Sequence, residues 1–169
     1  MNKRFWLKVG LRSAALGLFG VGAVGGGFAQ AASVTAPELM PLDKAHAAQL
    51  LNATQYKRPT LVVLWSSDCG HCKRNLQWLQ ARWQQGPQAD LITVAVEPQQ
   101  NGLAGMLGRY ALPGRHFVYG PELPEALAYA LDPNWAGELP RSDVFSGQGK
   151  RVAVSGVLND KILKAALAP

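Results

Sequence analysis

Trp65-Ser66-Ser67-Asp68-Cys69-Gly70-His71-Cys72-Lys73 is the stretch that decides how this chain folds and what it can do. It follows directly on Thr60-Leu61-Val62-Val63-Leu64, and the unbroken apolar run ending at Trp65 predicts a strand covered on both faces. Ser66 to Gly70 form a loop. A helix is predicted from about Cys72 to Trp83, because Cys72, Leu76, Leu79 and Trp83 share one face while Lys73, Arg74, Gln77 and Gln80 line the other. Cys69 therefore sits where a helix begins. Unpaired backbone N–H groups and the helix dipole favour negative charge there, which stabilises a thiolate. His71 adds a group that can be cationic or donate a hydrogen bond, and Gly70 leaves room for a partner's backbone. Cys72, on the apolar face, is expected to be buried and a poorer nucleophile at rest.

The chain has only these two cysteines. A disulfide between them closes a loop so short that the chain-entropy relation gives only ~2 kcal/mol. Stapling is a weak reason for such a pair, and reactivity is a better one. The division of labour follows: Cys69 attacks, or is attacked, through a mixed disulfide, and Cys72 resolves it.

Outward from this site, strands and helices alternate. Upstream, Asp43 suits the N-cap of a helix from Lys44 to about Thr54. Downstream, Leu91 to Val96 reads as a second buried strand stopped by Pro98, and Leu103 to Tyr110 as a helix weakened by Gly105 and Gly108. His116 to Tyr119 is a short strand, and Pro124 opens a helix that runs to Leu131. Asp143–Ser146 and Arg151–Ser155 flank Gly147-Gln148-Gly149 as a hairpin, and Asn159 or Asp160 starts a last helix through Leu167. This order predicts an α/β fold, a central mixed sheet with helices on both faces, its first two strands parallel and its last pair antiparallel.

The first 31 residues differ from the rest. Lys3, Arg4, Lys8 and Arg12 precede an apolar, Gly-rich stretch from Ser13 to Phe28, and Ala29-Gln30-Ala31 follows as a small-x-small pattern. This predicts a signal peptide over residues 1–31 with cleavage after Ala31. An uncleaved N-terminal membrane anchor is the alternative, although the stretch is short against the about 20 apolar residues of a span. The chain carries 17 basic and 11 acidic residues and a net charge of +6. Four of the basic residues and none of the acids lie in that segment, which leaves the remainder at only +2. No clustered basic face argues for nucleic acid.

Trp-x-x-x-Cys-Gly-His-Cys-Lys after an apolar strand resembles the active site of the thioredoxin superfamily. The spacing of the remainder is most similar to the exported TlpA-like (redoxin-like) branch. The resemblance covers roughly residues 40–167 and implies a thioredoxin-like domain over residues 32–169. It also implies an insert, here residues 98–122, between the second core strand and the helix before the hairpin. In that superfamily a cis proline faces the redox pair and the residue before it offers its backbone to substrate. By resemblance these are Pro140 and Leu139; Trp135, close to Pro140 in sequence, either shapes the substrate groove or simply packs. Trp65 is expected to pack beneath the redox loop.

Two departures from the family pattern matter. A buried Asp six residues before the first cysteine is replaced here by Val63, so the proton of Cys72 needs another acceptor. That acceptor is water or another carboxylate, and Glu97, at the end of the second strand, and Glu138, beside Pro140, are the carboxylate candidates. His71 also stands where reducing members carry proline, which favours a more oxidising couple.

The resemblance implies a monomeric thiol–disulfide oxidoreductase of the periplasm or an equivalent oxidising space. It acts on protein thiols and disulfides with no cofactor beyond its own cysteines, and a membrane redox partner is an open option. Its kinship leans slightly to reductase while its dipeptide leans the other way. The competing reading is a periplasmic copper(I) metallochaperone using the same two thiols; a structural zinc site needs more ligands than one pair supplies.

Overall fold

The computed structural model describes residues 36–168, and the signal segment expected over residues 1–31 lies outside them. In chain order the elements are β1 (Met40–Leu42), α1 (Lys44–Leu50), β2 (Thr60–Trp65), α2 (Gly70–Gln84), β3 (Asp90–Pro98) and α3 (Leu103–Gly108). They continue with β4 (Arg115–Tyr119), α4 (Pro124–Leu131), β5 (Arg141–Phe145), β6 (Arg151–Ser155) and α5 (Asp160–Leu167). The strands form one sheet in the order β1-β4-β3-β2-β5-β6. As the alternation of elements predicted, β2 and β3 are parallel and β5 and β6 antiparallel.

The apolar run of β2 is buried at every position, as a central strand between two layers requires. Its side chains alternate between two clusters. Leu61, Val63 and Trp65 join α2, α3 and α5 on one face, whereas Val62 and Leu64 join α1 and α4 on the other. The hairpin between β5 and β6 turns through Gly147 (φ 81°) and Gly149 (φ 88°), left-handed values that favour glycine.

Several boundaries differ from the sequence reading, each for a local reason. α1 stops at Leu50, and a separate 3₁₀ turn over Ala53–Gln55 is capped by Asn52, whose side chain accepts from the Thr54 N–H. α2 starts at Gly70, before Cys72, because the Cys69 side chain caps it. β3 runs through Pro98 with a register shift between Ala95 and Pro98, so proline sits at an irregularity, where a missing N–H is tolerated. α3 ends at Gly108 rather than Tyr110. β1, three residues long, is too short to show a periodic pattern, yet it pairs parallel to β4. Residues 98–122 contain α3 and β4, and β4 is inserted in the sheet between β1 and β3.

Candidate active site

Register brings three chain segments to one end of the sheet. β2 and β3 run parallel with Trp65 beside Ala95, so both strands finish at the same edge. β5 runs the other way with Arg141 beside Leu64, which puts Pro140 one step further on, level with Trp65. The loop after β2, the end of β3 and the residues entering β5 therefore meet.

Cys69 and Cys72 form a disulfide with sulfurs 2.11 Å apart and Cα atoms 5.1 Å apart. Cys69 is the N-cap of α2 in extended conformation, and its Sγ accepts from the Cys72 N–H at 3.0 Å. One of the orphan N–H groups that every helix start carries is thus aimed at this sulfur. The two cysteines differ in access: Cys69 is half-buried, whereas Cys72 is 0% exposed among Trp65, Leu76 and Leu79. The first turn of α2 contains no acidic residue to oppose a thiolate. A Cβ at Gly70 would meet nothing within 4 Å, so the surface beside Cys69 is open.

His71 is exposed, and the Arg74 guanidinium lies 2.7 Å from its Nδ1. Arginine has only donors, so His71 accepts. The fixed cation at this turn is Arg74, which the sequence placed only on the polar face of the helix. Its i,i+3 spacing from His71 was the available signal.

Glu97 reaches the redox loop. Its carboxylate accepts from the Ser67 backbone N–H and, at 2.8 Å, from the Ser67 hydroxyl. Gln100 donates to the same carboxylate at 2.6 Å, which ties residues 98–122 to the loop two residues before Cys69. Nothing local in the sequence links Ser67 to Glu97; the pairing of β2 with β3 does.

The Leu139–Pro140 peptide bond is cis, Pro140 is buried and Leu139 is half-buried. Trp135 packs against the cluster under α1 and α4, and its indole N–H donates to the Glu138 carbonyl at 3.0 Å, closing the turn before Leu139. The Glu138 carboxylate accepts from Ser155 Oγ at 2.7 Å and lies 3.7 Å from the Arg141 guanidinium. The Ser155 hydrogen bond, with backbone N–H groups and the nearby Arg141 charge, outweighs the opposing effect of burial and holds its carboxyl below the usual range.

Arg141 is buried. It donates to Asp132 at 2.6 Å and to Asp143 at 3.2 Å, and Arg151 donates to the same two carboxylates at 2.7 and 2.8 Å. This cluster pins the segment after α4 to β5 and β6, on either side of Leu139–Pro140. Burial pushes the Asp132 carboxyl up, but the Asn134 N–H and the two guanidiniums overcome it, and its pKa is lowered. Arg141 and Asp143 stand two residues apart on one strand, hence on one face, and that spacing was the legible signal.

Asn75 was also missed. It is fully buried on the inner face of α2, accepts from the Leu158 N–H at 2.8 Å and donates to Ser142 Oγ at 3.5 Å, joining α2 to β5 and to the approach to α5. Among the described residues no group of three or more His, Cys, Asp or Glu could hold a metal ion.

Fold and site together define a thioredoxin-like α/β domain that carries a disulfide-forming cysteine pair at the start of a helix. No family model matches the sequence, and no curated protein matches it. Solved structures do. StoA from Bacillus subtilis is 18% identical over 67% of this chain and 84% of its own, with a TM-score of 0.50. A DsbF homologue from Corynebacterium diphtheriae is 14% identical over 66% of this chain and 71% of its own, with a TM-score of 0.53. A secreted thiol-disulfide isomerase from Corynebacterium glutamicum is 18% identical over 67% of this chain and 71% of its own, with a TM-score of 0.50. At such identities the likeness establishes the fold, and the chemistry rests on the residues.

Proposed function

We propose that this chain is a thiol–disulfide oxidoreductase that exchanges disulfides with exported proteins in an oxidising compartment, as a monomer and with no cofactor beyond Cys69 and Cys72. The observation that carries this reading is the unequal placement of the pair: one sulfur accessible and capped onto a helix start, the other fully buried behind it.

In the reducing direction the Cys69 thiolate attacks one sulfur of a substrate disulfide. A Cys69–substrate bond forms, and the other substrate sulfur leaves as a thiolate that takes up a proton. Cys72 then loses its proton and attacks the Cys69 sulfur. The mixed disulfide breaks, the second substrate thiolate is released, and Cys69 and Cys72 are left oxidised. Two electrons have passed to the substrate. Oxidation of a substrate dithiol is the same sequence reversed.

Gly70 leaves the approach to Cys69 clear, and the backbone of Leu139 beside Pro140 receives the substrate segment, with Trp135 bracing that turn. Trp65, fully buried below the loop, is a support. Of the two carboxylates, we assign Glu97 as proton acceptor for Cys72, because it already engages the redox loop through Ser67. Glu138, held by Ser155 and Arg141, positions the turn before Pro140. Titration of the reduced protein separates these roles. Glu97→Gln is expected to shift the ionisation of Cys72 and Glu138→Gln to leave it in place, and an unchanged curve for both cysteines in both variants refutes the assignment.

Net direction depends on the potential of the couple. The family resemblance favours reductase, whereas the acid-free first turn and Arg74 favour the thiolate and hence an oxidising couple. Equilibration against glutathione decides between them, since 30 mV corresponds to about 1.4 kcal/mol. The exchange reading itself is tested by reduction of insulin disulfides, which Cys69→Ser must abolish. A copper-dependent phenotype that survives without exchange activity would replace it with the metallochaperone reading.

A further inference from the structure

We propose that the redox end of this domain selects polypeptide segments whose reacting cysteine is flanked by acidic side chains, and that a pocket between the redox loop and α3 receives one of them. The proposal rests on the exchange reaction above and names its substrate class.

The pocket has a volume of about 320 Å³ and is lined by Ser67, Gln100, Leu103, Met106 and Arg109, among others. That is room for one or two side chains. Its wall is built rather than incidental: Glu97 accepts from the Ser67 hydroxyl at 2.8 Å and from Gln100 at 2.6 Å, fixing both residues. Ser67 lies two residues before Cys69, so a chain whose sulfur meets Cys69 passes this pocket with a neighbouring side chain.

The charge of the site points to the class of that side chain. Among the described residues, no carboxylate lies within 4.0 Å of the Lys73, Arg74 or Arg109 side-chain nitrogens. Arg74 and Arg109 are exposed, and the Arg74 guanidinium contacts His71. Of the acids at this end, Glu138 is bonded by Ser155 and lies beside Arg141, whereas Glu97 is held at the pocket wall by the uncharged donors Ser67 and Gln100, so it is Lys73, Arg74 and Arg109 that carry the preference. Asp68, exposed in the loop, is the one acid there without such a partner among the described residues. Lys73 and Arg74 also stand in the first two turns of α2, the end at which a helix dipole disfavours cations. A docked carboxylate relieves that opposition and supplies the missing partner for Arg109. Apolar Leu103 and Met106 suit the stem of a glutamate.

The test compares disulfide-bonded peptides that differ only in whether glutamate, glutamine or lysine flanks the cysteines, each oxidising the reduced full-length protein. At low ionic strength the glutamate peptide is expected to react about tenfold faster than the lysine peptide. The ratio should fall toward one in ~1 M salt, where the screening length is ~3 Å. Arg109→Lys should keep the ratio, and Arg109→Glu should abolish or invert it. Equal rates for the three peptides, or a ratio indifferent to the charge at position 109, overturn the proposal. The uncharged bis(2-hydroxyethyl) disulfide distinguishes the two levels of failure. If the wild-type protein reduces it while the peptides react alike, only the charge preference is lost. If no disulfide reacts, the exchange reading is lost, and the preference with it.

Discussion

Replacing Cys72 by serine removes the resolving thiol but leaves the backbone N–H that points at Cys69, and this isolates the ionisation on which the mechanism depends. The Cys69 sulfur accepts that N–H at 3.0 Å. When the sulfur is a thiolate the bond becomes charge-assisted, about 1.5–3 kcal/mol against the about 0.5–1.5 of a neutral one. The dipole of α2 adds about 0.3–1 kcal/mol at its N-terminus. Together they favour the thiolate by about 1.3–2.5 kcal/mol, a shift of ~10- to 70-fold in the thiolate-to-thiol ratio. An ordinary cysteine is only a few per cent thiolate at neutral pH, so reduced Cys72→Ser should be roughly a quarter to two thirds ionised at Cys69. The assay is the pH dependence of iodoacetamide alkylation, cross-checked by the ultraviolet absorbance of the thiolate. Cys69→Ser supplies the comparison, because the remaining Cys72 is 0% exposed and should alkylate far more slowly in the folded protein. An ordinary ionisation of Cys69 in Cys72→Ser, or equal alkylation of the two cysteines, refutes the reasoning.

Other expectations follow from groups that hold the site in place. Asp143→Ala leaves Arg141 and Arg151 each short of a carboxylate on the buried side of β5, and should lower stability in denaturant titrations by about 3–5 kcal/mol. Burial lowers the pKa of His116 below the ordinary value of 6.5, its ring lying between the Thr93 hydroxyl at 2.9 Å and the Leu112 carbonyl at 3.2 Å. The unfolded chain then takes up the proton first, so stability should be complete above that value and decline as pH falls below it. His116→Gln should flatten that part of the curve. Asp132 and Glu138 have lowered pKa values in the folded protein, so their contribution is present above the ordinary carboxylate range and lost as pH falls through the folded values. Thermal melts across this range, repeated on Asp132→Asn, check the sign.

Much of this architecture was legible because the governing signals are local. The buried run of β2 and the four-residue face of α2 needed only periodicity, and the hairpin needed its two glycines. Position and burial of Cys72 followed from the same face. What escaped were partnerships between residues far apart in the chain. Glu97 and Ser67 are 30 positions apart and meet through strand register. Asp132 reaches Arg151 across 19 positions. β1 escaped for a different reason: three residues show no pattern, and their strand character comes from the edge of β4 that they cover.

The long-range partnerships also explain how a mobile reaction can be supported by a fixed frame. A mixed disulfide requires Cys69 to release Cys72, hold a foreign chain and then recover its partner, so the backbone around it has to keep its place while bonds exchange. Here the loop before Cys69 is held by Glu97, and α2 is tied to the segment before α5 by Asn75. The turn before Pro140 is anchored through Arg141, Asp132 and Glu138. Each anchor fastens to a different element, β3, the β6–α5 segment and β5 respectively. Loosening one should therefore alter a different step: Glu97 the proton transfer, Asn75 the position of Cys72, and Asp132 the docking of substrate. Single-turnover kinetics resolving attack from resolution would distinguish them, and three variants that slowed the same step equally would argue that the site moves as one body instead.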